Sequence, residues 1–325
     1  MQGEAFDGPV VDVAGVGLNA TDTLIRLPHF PSFDTKVEFL SSQVLPGGQV
    51  ASAMVACQSW GLKTRYVGKV GDDAAAHFQR RELERAGVEV HLITVPDCNS
   101  QVAFILVDQS TGERTILWNR DPRLTIRPEE IRREWVVRAR SLLVDGHDTA
   151  AAAQAALLVR EAGIPVIADL DNLYPGVEDL LENVDYLLAS RDFPGRLTRE
   201  SDLAKALQNI QQRFRCRVVG ATLGAEGAIA WDGTRFHYSA AFRVDAVDTT
   251  GAGDIFHGAF VYALLQGSPM SQILEFSCAA AALNCMALGA RGGIRPVAEI
   301  ERLMREGARH RAAFDAEQLA RKAAR

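Results

Sequence analysis

The chain has 325 residues, 47% apolar and 23% charged, enough to bury a sizeable core and too apolar for a disordered or low-complexity protein. Its 35 lysines and arginines against 41 acids leave a net charge of −6, so composition gives no support to a nucleic-acid or membrane-surface partner. Five cysteines (Cys57, Cys98, Cys216, Cys278 and Cys285), odd in number and without a C-x-x-C pair, argue against a disulfide framework or a structural zinc and fit a reducing cytoplasm.

The opening MQGEAFDG carries acids and lacks the basic region and apolar stretch of a signal peptide. Val10 to Leu18 reads as the first strand, and Gly15-Val-Gly-Leu-Asn-Ala20 matches the G-x-G-x-x-A dinucleotide fingerprint. That fingerprint requires a helix next. The chain instead continues Leu27-Pro-His-Phe-Pro31, whose two prolines forbid a regular helix, so a dehydrogenase is set aside. Further strand-like runs at Arg65 to Val70, Ser141 to Asp145, Pro165 to Leu170, Asp185 to Ser190 and Val218 to Leu223 alternate with helical patterns such as Asp148 to Ala162, which is ended by Gly163. The alternation implies an α/β fold, a three-layer α/β/α sandwich around a mostly parallel sheet. Lys36 to Val44 and the pair Gln101 to Val107 and Arg114 to Asn119, joined by DQSTGE, run without intervening helices. We expect them to form a small β-sheet lid, inserted at approximately 35–45 and 99–120 of one domain of 1–325. Gly251 to Gly267 and Met270 to Leu288 are apolar nearly all round, the mark of buried helices. The longest apolar run, Cys278 to Leu288, is far short of the roughly 20 residues needed to span a bilayer. Pro296 to Arg325 is helical in pattern, and its seven basic and four acidic residues from Ile300 onward suit a solvated surface helix.

The chemistry concentrates in Ala246-Val-Asp-Thr-Thr-Gly-Ala-Gly-Asp254, where Gly251, Ala252 and Gly253 open a long helix. A helix N-terminus leaves N–H groups unpaired, and glycine there lets a phosphate come close. Asp254, in the first turn, is either held by the helix dipole or is a base that takes a proton from a substrate hydroxyl. There is no Walker A sequence, which excludes a P-loop kinase.

The string D-T-x-G-A-G-D resembles the C-terminal signature of the ribokinase-like (PfkB) sugar kinase family. About 200 residues earlier, Leu45-Pro-Gly-Gly-Gln-Val-Ala-Ser52 and Tyr66-Val-Gly-Lys-Val-Gly-Asp-Asp73 are similar to that family's G-G-x-x-A-N helix and V-G-x-V-G-x-D strand end. Ser110 to Trp118, Ser190-Arg-Asp-Phe193 and Phe276 to Gly289 look most like ketohexokinase-type members. The resemblance implies an ATP- and Mg2+-dependent kinase acting on a small sugar, leaning to a ketose, with Asp254 as base and the amides of Gly251 to Asp254 around the transferring phosphoryl group. It further implies a sugar held by Asp22, Gly47, Gly48, Gln49 and Ser52, and a nucleotide held by Ser190, Thr222, Gly224, Gly227, Asn284 and, from the lid, Arg114. On spacing alone, nine residues before Pro31, Asp22 reads equally well as a strand-end aspartate.

Two departures bear on this picture. Ser190 and Phe193 stand where the family has N-x-x-E, so the magnesium ligands are left open, with a monovalent cation possible; Ser52 replaces the family's sugar-binding asparagine. Trp118, Asn119 and Arg120 end a lid strand and bear on substrate choice, with Arg120 suited to an anionic sugar substituent. His257, three residues after Asp254, reads as a satisfied core histidine. A homodimer through the lid follows from the resemblance. The competing readings are a nucleoside kinase and a catalytically silent sugar- or nucleotide-binding regulatory protein on the same scaffold.

Overall fold

Thirteen strands and ten α-helices make up the described part of the chain, residues 10–110, 114–315, 319, 322 and 323 of a computed structural model. Residues 1–9, residues 111–113 between the two expected lid strands and most of the last ten residues lie outside the described residues. The strands are β1 Val11–Val16, β2 Ala20–Leu27, β3 Ser41–Gly47, β4 Thr64–Val70, β5 Glu89–Thr94, β6 Val102–Asp108, β7 Arg114–Asn119, β8 Ala139–Asp145, β9 Val166–Leu170, β10 Tyr186–Ser190, β11 Val218–Thr222, β12 Ala228–Trp231 and β13 Phe236–Ser239. The helices are α1 Gln49–Ser59, α2 Ala74–Arg85, α3 Arg133–Val136, α4 Thr149–Glu161, α5 Val177–Leu181, α6 Phe193–Thr198, α7 Leu203–Phe214, α8 Ala252–Leu265, α9 Met270–Asn284 and α10 Val297–Glu306.

Nine strands form the main sheet in the order β13-β12-β11-β10-β9-β8-β1-β4-β5. It is parallel from β5 through to β11, while β12 and β13 run antiparallel at one edge. The central parallel strands, from β4 to β11, are buried on both faces, which is why they read as largely apolar runs, whereas edge strand β5 is only half-buried. One core lies between the sheet and α1, α8, α9 and α10, the other between the sheet and α4, α5 and α7. Order reverses at β1, where β4 pairs on one side and β8 on the other. In open sheets ligands bind beyond the strand ends at such a reversal.

The second sheet has the order β3-β2-β6-β7. Its strand β2 escaped the sequence reading, because Thr21, Asp22, Thr23 and Arg26 break up its apolar residues. The expected Lys36 to Val44 strand is shifted: the ladder with β2 runs from Arg26–Ser41 to Ala20–Gly47, so the strand begins at Ser41 and carries the glycine pair at its end. No helix follows the Gly15 to Ala20 segment, which leads directly into β2. At the other end of the chain the expected long helix is corrected. Helix α10 stops at Glu306, where Gly307 turns to extended backbone (φ −73°, ψ 136°), and residues 307–315 are irregular. Likewise α9 ends at Asn284 rather than Leu288.

Candidate active site

Gly251 caps α8 in the left-handed region (φ 74°), and a Cβ on it would lie 2.4 Å from the Ala290 carbonyl oxygen. Only glycine fits that corner. The loop before it is shaped by buried Asp248, whose Oδ1 accepts from Thr250 N (2.9 Å) and Oγ1 (2.7 Å) and whose Oδ2 accepts from Gly289 N (2.8 Å). The Ala252 amide is turned back onto Thr249 O at 3.3 Å, which corrects the expectation that all four amides from Gly251 to Asp254 are available. Those of Gly251, Gly253 and Asp254 have no hydrogen-bond partner among the described residues. A Cβ on Gly253 would meet nothing within 4 Å, so open space lies directly over this helix start.

Asp254 is the next residue of the helix. Burial pushes its carboxyl up to about 7, helped by Asp169 and Asp22 and opposed by His257 and Arg291. A carboxylate poised near neutrality in a cleft is suited to general-base work. His257 is a core residue as expected: Nδ1 lies 2.7 Å from Gly253 O and Nε2 3.0 Å from Leu188 O, with Asp169 Oδ2 3.2 Å from Nδ1.

On one side of the α8 start is a cavity of about 400 Å3. Thr222, Gly224, Gly227 and Gly253 lie along it together with Phe242, Val244, Ala281, Ala282, Cys285 and His310, so backbone-rich glycine turns share the cavity with an apolar wall. Gly227 (φ 98°) could not carry a side chain, since a Cβ there would sit 1.9 Å from Ser239 O. Asn284 does not take part. It is fully buried, donating to Thr250 O (3.3 Å) and Ala290 O (3.1 Å) and accepting from Gly293 N (3.1 Å), so its amide is consumed in holding the loop after α9. Its neighbours Ala281, Ala282 and Cys285 line the cavity instead. Arg114, on the edge strand β7, reaches the body by donating to Thr249 Oγ1. Ser190 Oγ donates to Asp171 O at 2.9 Å, and Phe193 is wholly buried, so the latter position offers no metal ligand.

The second group of expected site residues surrounds Asp22 on β2, paired with Leu45 of β3 and Ala103 of β6. It is 8% exposed, and burial pushes its carboxyl up to about 6 against the pull of Arg291. A Cβ on Gly47 would overlap Asp22 Oδ2 at 2.0 Å, so the glycine is what lets the loop close over the carboxylate. Gly48 (φ 92°) caps α1, and Gln49 follows as its first residue. Gln49 Oε1, both amide atoms of Asn19, and Gln101 Oε1 are buried without a hydrogen-bond partner. Orphaned buried amides on the segments that flank Asp22, at the strand's start and after the glycine pair, are groups that a polyhydroxyl ligand can satisfy by donating and accepting in turn. Asn19 and Gln101 were missed in the sequence; the signal for Asn19 was hidden inside the rejected dinucleotide fingerprint.

Two expectations on this side need correction. Ser52 is fully buried and its Oγ accepts from Arg291 Nε at 3.1 Å, so it stands behind the cleft and holds the arginine. Arg120 is not available to an anionic substituent, because Nη1 and Nη2 clamp Asp148 at 2.9 and 2.6 Å. Trp118 does face this side: the register Asp22–Ala103–Trp118 sets it on the same face of the small sheet as Asp22.

In chemical terms the arrangement sets a carboxyl held near 7 and a group of unpaired amides at one helix start, beside a cavity of about 400 Å3, with the buried carboxyl of Asp22 close enough to act on the first. Phosphoryl transfer from ATP carried with Mg2+ has those requirements. Among the described residues no three acid, histidine or cysteine side chains gather to cage a metal. An ion brought in on the nucleotide phosphates would need few protein ligands. No helix among the described residues is long and apolar enough to cross a membrane.

Comparison with known proteins agrees. The chain is 29% identical over 289 residues to the ATP-dependent ribose-1-phosphate kinase of Halopiger xanaduensis, covering 87% of this chain and 94% of that one. A candidate ribokinase structure from Agrobacterium tumefaciens superposes with a TM-score of 0.85 at 28% identity, covering 91% and 98% of the two chains. An E. coli structure holding ATP and Mg2+ shares the fold, with a TM-score of 0.81 at 19% identity over 91% and 99%. The description pfkB family carbohydrate kinase matches residues 14–296. With the family's signature helix, its glycine pair and nearly its whole length present in one fold, the chain belongs to the pfkB family of carbohydrate kinases.

Proposed function

We propose that the chain transfers the γ-phosphoryl group of MgATP to a hydroxyl of a small, ketose-like sugar, with Asp254 as the general base. The observation that carries this reading is the pairing of a carboxyl held near 7 with unpaired amides at one helix start. Asp254 takes the proton of the attacking hydroxyl, and the amides of Gly251, Gly253 and Asp254 stabilise charge on the phosphoryl oxygens in flight. Magnesium on the nucleotide neutralises the phosphate charge when bound. Asp22, Asn19, Gln49 and Gln101 hold the sugar, and Thr222, Gly224, Gly227 and Arg114 hold the nucleotide. The small sheet serves as a lid on a single kinase domain, shielding the transfer from water, the competing nucleophile. The ketose lean rests on the Ser110 to Trp118 and Phe276 to Gly289 stretches.

The lid also suggests a homodimer. By register Val44, Thr23, Phe104 and Leu117 form one row across its outer face, and the three apolar members are 57%, 48% and 53% exposed. Five unpaired cysteines suit a reducing cytoplasm.

The deciding assay is ADP release from MgATP over a panel of ketoses, aldoses, nucleosides and sugar phosphates, with Asp254→Asn as the blank. Sugar-dependent release, lowered at least about a hundredfold in the variant, is expected. A variant of near-normal rate removes the base, and release with nucleosides alone replaces the sugar.

A further inference from the structure

The loop that follows α9, Gly289-Ala-Arg-Gly-Gly293, touches both halves of the site. Asp248 and Asn284 hold it: Gly289 N donates to Asp248 Oδ2 (2.8 Å) and Gly293 N to Asn284 Oδ1 (3.1 Å). Between these anchors Ala290 packs against Gly251, the glycine that caps the catalytic helix. The next residue, Arg291, points the other way. Its Nη2 donates to Gly47 O at 2.7 Å and its Nε to Ser52 Oγ at 3.1 Å, so it grips the acceptor loop at the glycine that covers Asp22. Nη1 has no hydrogen-bond partner among the described residues.

A half-buried guanidinium in such a place needs a reason, because an arginine partly withdrawn from water is matched by nearby charge. The match is the pair of substrate-facing carboxylates. Asp22 on β2 and Asp254 on α8 both act on it, with Tyr66 of β4 and Glu82 of α2 as the other titratable groups that face it. Asp254 in turn faces Asp169 on β9 and His257 on its own helix, and Asp22 faces Asp248.

We propose that Arg291 is a positioning residue for phosphoryl transfer, one fork that locks the acceptor loop to the segment packed under the catalytic glycine and one charge shared by Asp22 and Asp254. This rests on Asp254 being the base. The fork sets where the sugar lies relative to Asp254, and the charge keeps both carboxylates able to accept hydrogen bonds and protons at neutral pH. Arginine is required over lysine because two acceptors, Gly47 O and Ser52 Oγ, are met by two nitrogens of one plane.

The test is steady-state kinetics of Arg291→Gln and Arg291→Lys from pH 5.5 to 9, with saturating MgATP and D-fructose first, then the panel sugar of highest kcat/KM. Melting temperature and MgATP affinity are measured alongside. Loss of the fork predicts a sugar KM raised about tenfold or more in both variants, with MgATP affinity within about twofold of the parent. Loss of the charge predicts that the acid limb of kcat/KM moves up by about one pH unit in Arg291→Gln and stays in place in Arg291→Lys. An unchanged sugar KM together with an unmoved limb in a folded Arg291→Gln overturns the proposal. Should that variant fail to fold, Arg291→Lys decides it: raised sugar KM at an unaltered limb supports the fork, and parental kinetics overturn it. Should Asp254→Asn turn over normally, the base reading falls instead, whatever Arg291 does.

Discussion

A carboxyl that must give up its proton inside a cleft is a burden to the fold that carries it. Asp254 shows the sign of that burden. Its native value, about 7, stands above the ordinary 3.8, so between those values the folded chain binds a proton that the unfolded chain has lost. The stabilising contribution is present at low pH and disappears as pH rises through 7. Asp254→Asn, the variant proposed to lose most turnover, is therefore expected to melt above the parent at pH 8, by roughly 2–4 °C for each kcal/mol released, and to lose that advantage by pH 5. Thermal melts of both proteins at the two pH values check it; an equal or lower melting temperature at pH 8 refutes the account. Residue by residue, the site was unevenly legible. Asp254, Gly251 and Gly253 lie in one short string whose chemistry is local. Arg291 gave no such signal: an arginine between glycines after a helix reads as a surface loop, and its partner Gly47 lies 244 positions away. Asn284 misled for the opposite reason, since an amide looks available in sequence until its three backbone partners are known.

Among the elements, α8 separates two uses of glycine within three residues. Gly251 is structural, with φ at 74° and Ala290 O against the place of a Cβ, whereas Gly253 has helical backbone and empty space beside it. Gly251→Ala is expected to lose about 1–3 kcal/mol of stability, by strain and by pushing Ala290 away. Gly253→Ala should melt as the parent does and still lose activity, because its methyl occupies the space over the free amides. Melting curves and MgATP kinetics separate the two; equal behaviour of the variants contradicts the division. At this scale the central parallel strands were easy to read, since burial on both faces makes them largely apolar, whereas the half-buried edge strand β5 was missed. Strand β2 was not, because a lid strand keeps Asp22 and its threonines for the cleft, and functional polarity erased the pattern. The end of the last helix was equally hidden, since the break comes at the single residue Gly307, after which Phe314, Leu319 and Ala323 again pack on the core and keep the helical pattern going in sequence.

For the whole molecule, the small sheet is the part least explained by the single chain. Its edge strand β7 is exposed at every residue, and the row Val44, Phe104, Leu117 adds an apolar outer face. Exposed edges and apolar rows of this kind invite pairing with a second copy. Sedimentation equilibrium is expected to show a dimer at micromolar concentration and a monomer for Leu117→Glu; a monomeric parent removes the lid interface.

The grip of Arg291 on Gly47 has a bearing on how the enzyme is made. A ribosome adding 5–20 residues per second needs roughly 12–50 s to travel from one to the other. Throughout that interval the glycine loop and Asp22 exist without the cation that completes them. A nascent chain therefore lacks the fork and the charge assigned to Arg291, and gains them only when the C-terminal third has been synthesised and has folded back onto the first fifty residues.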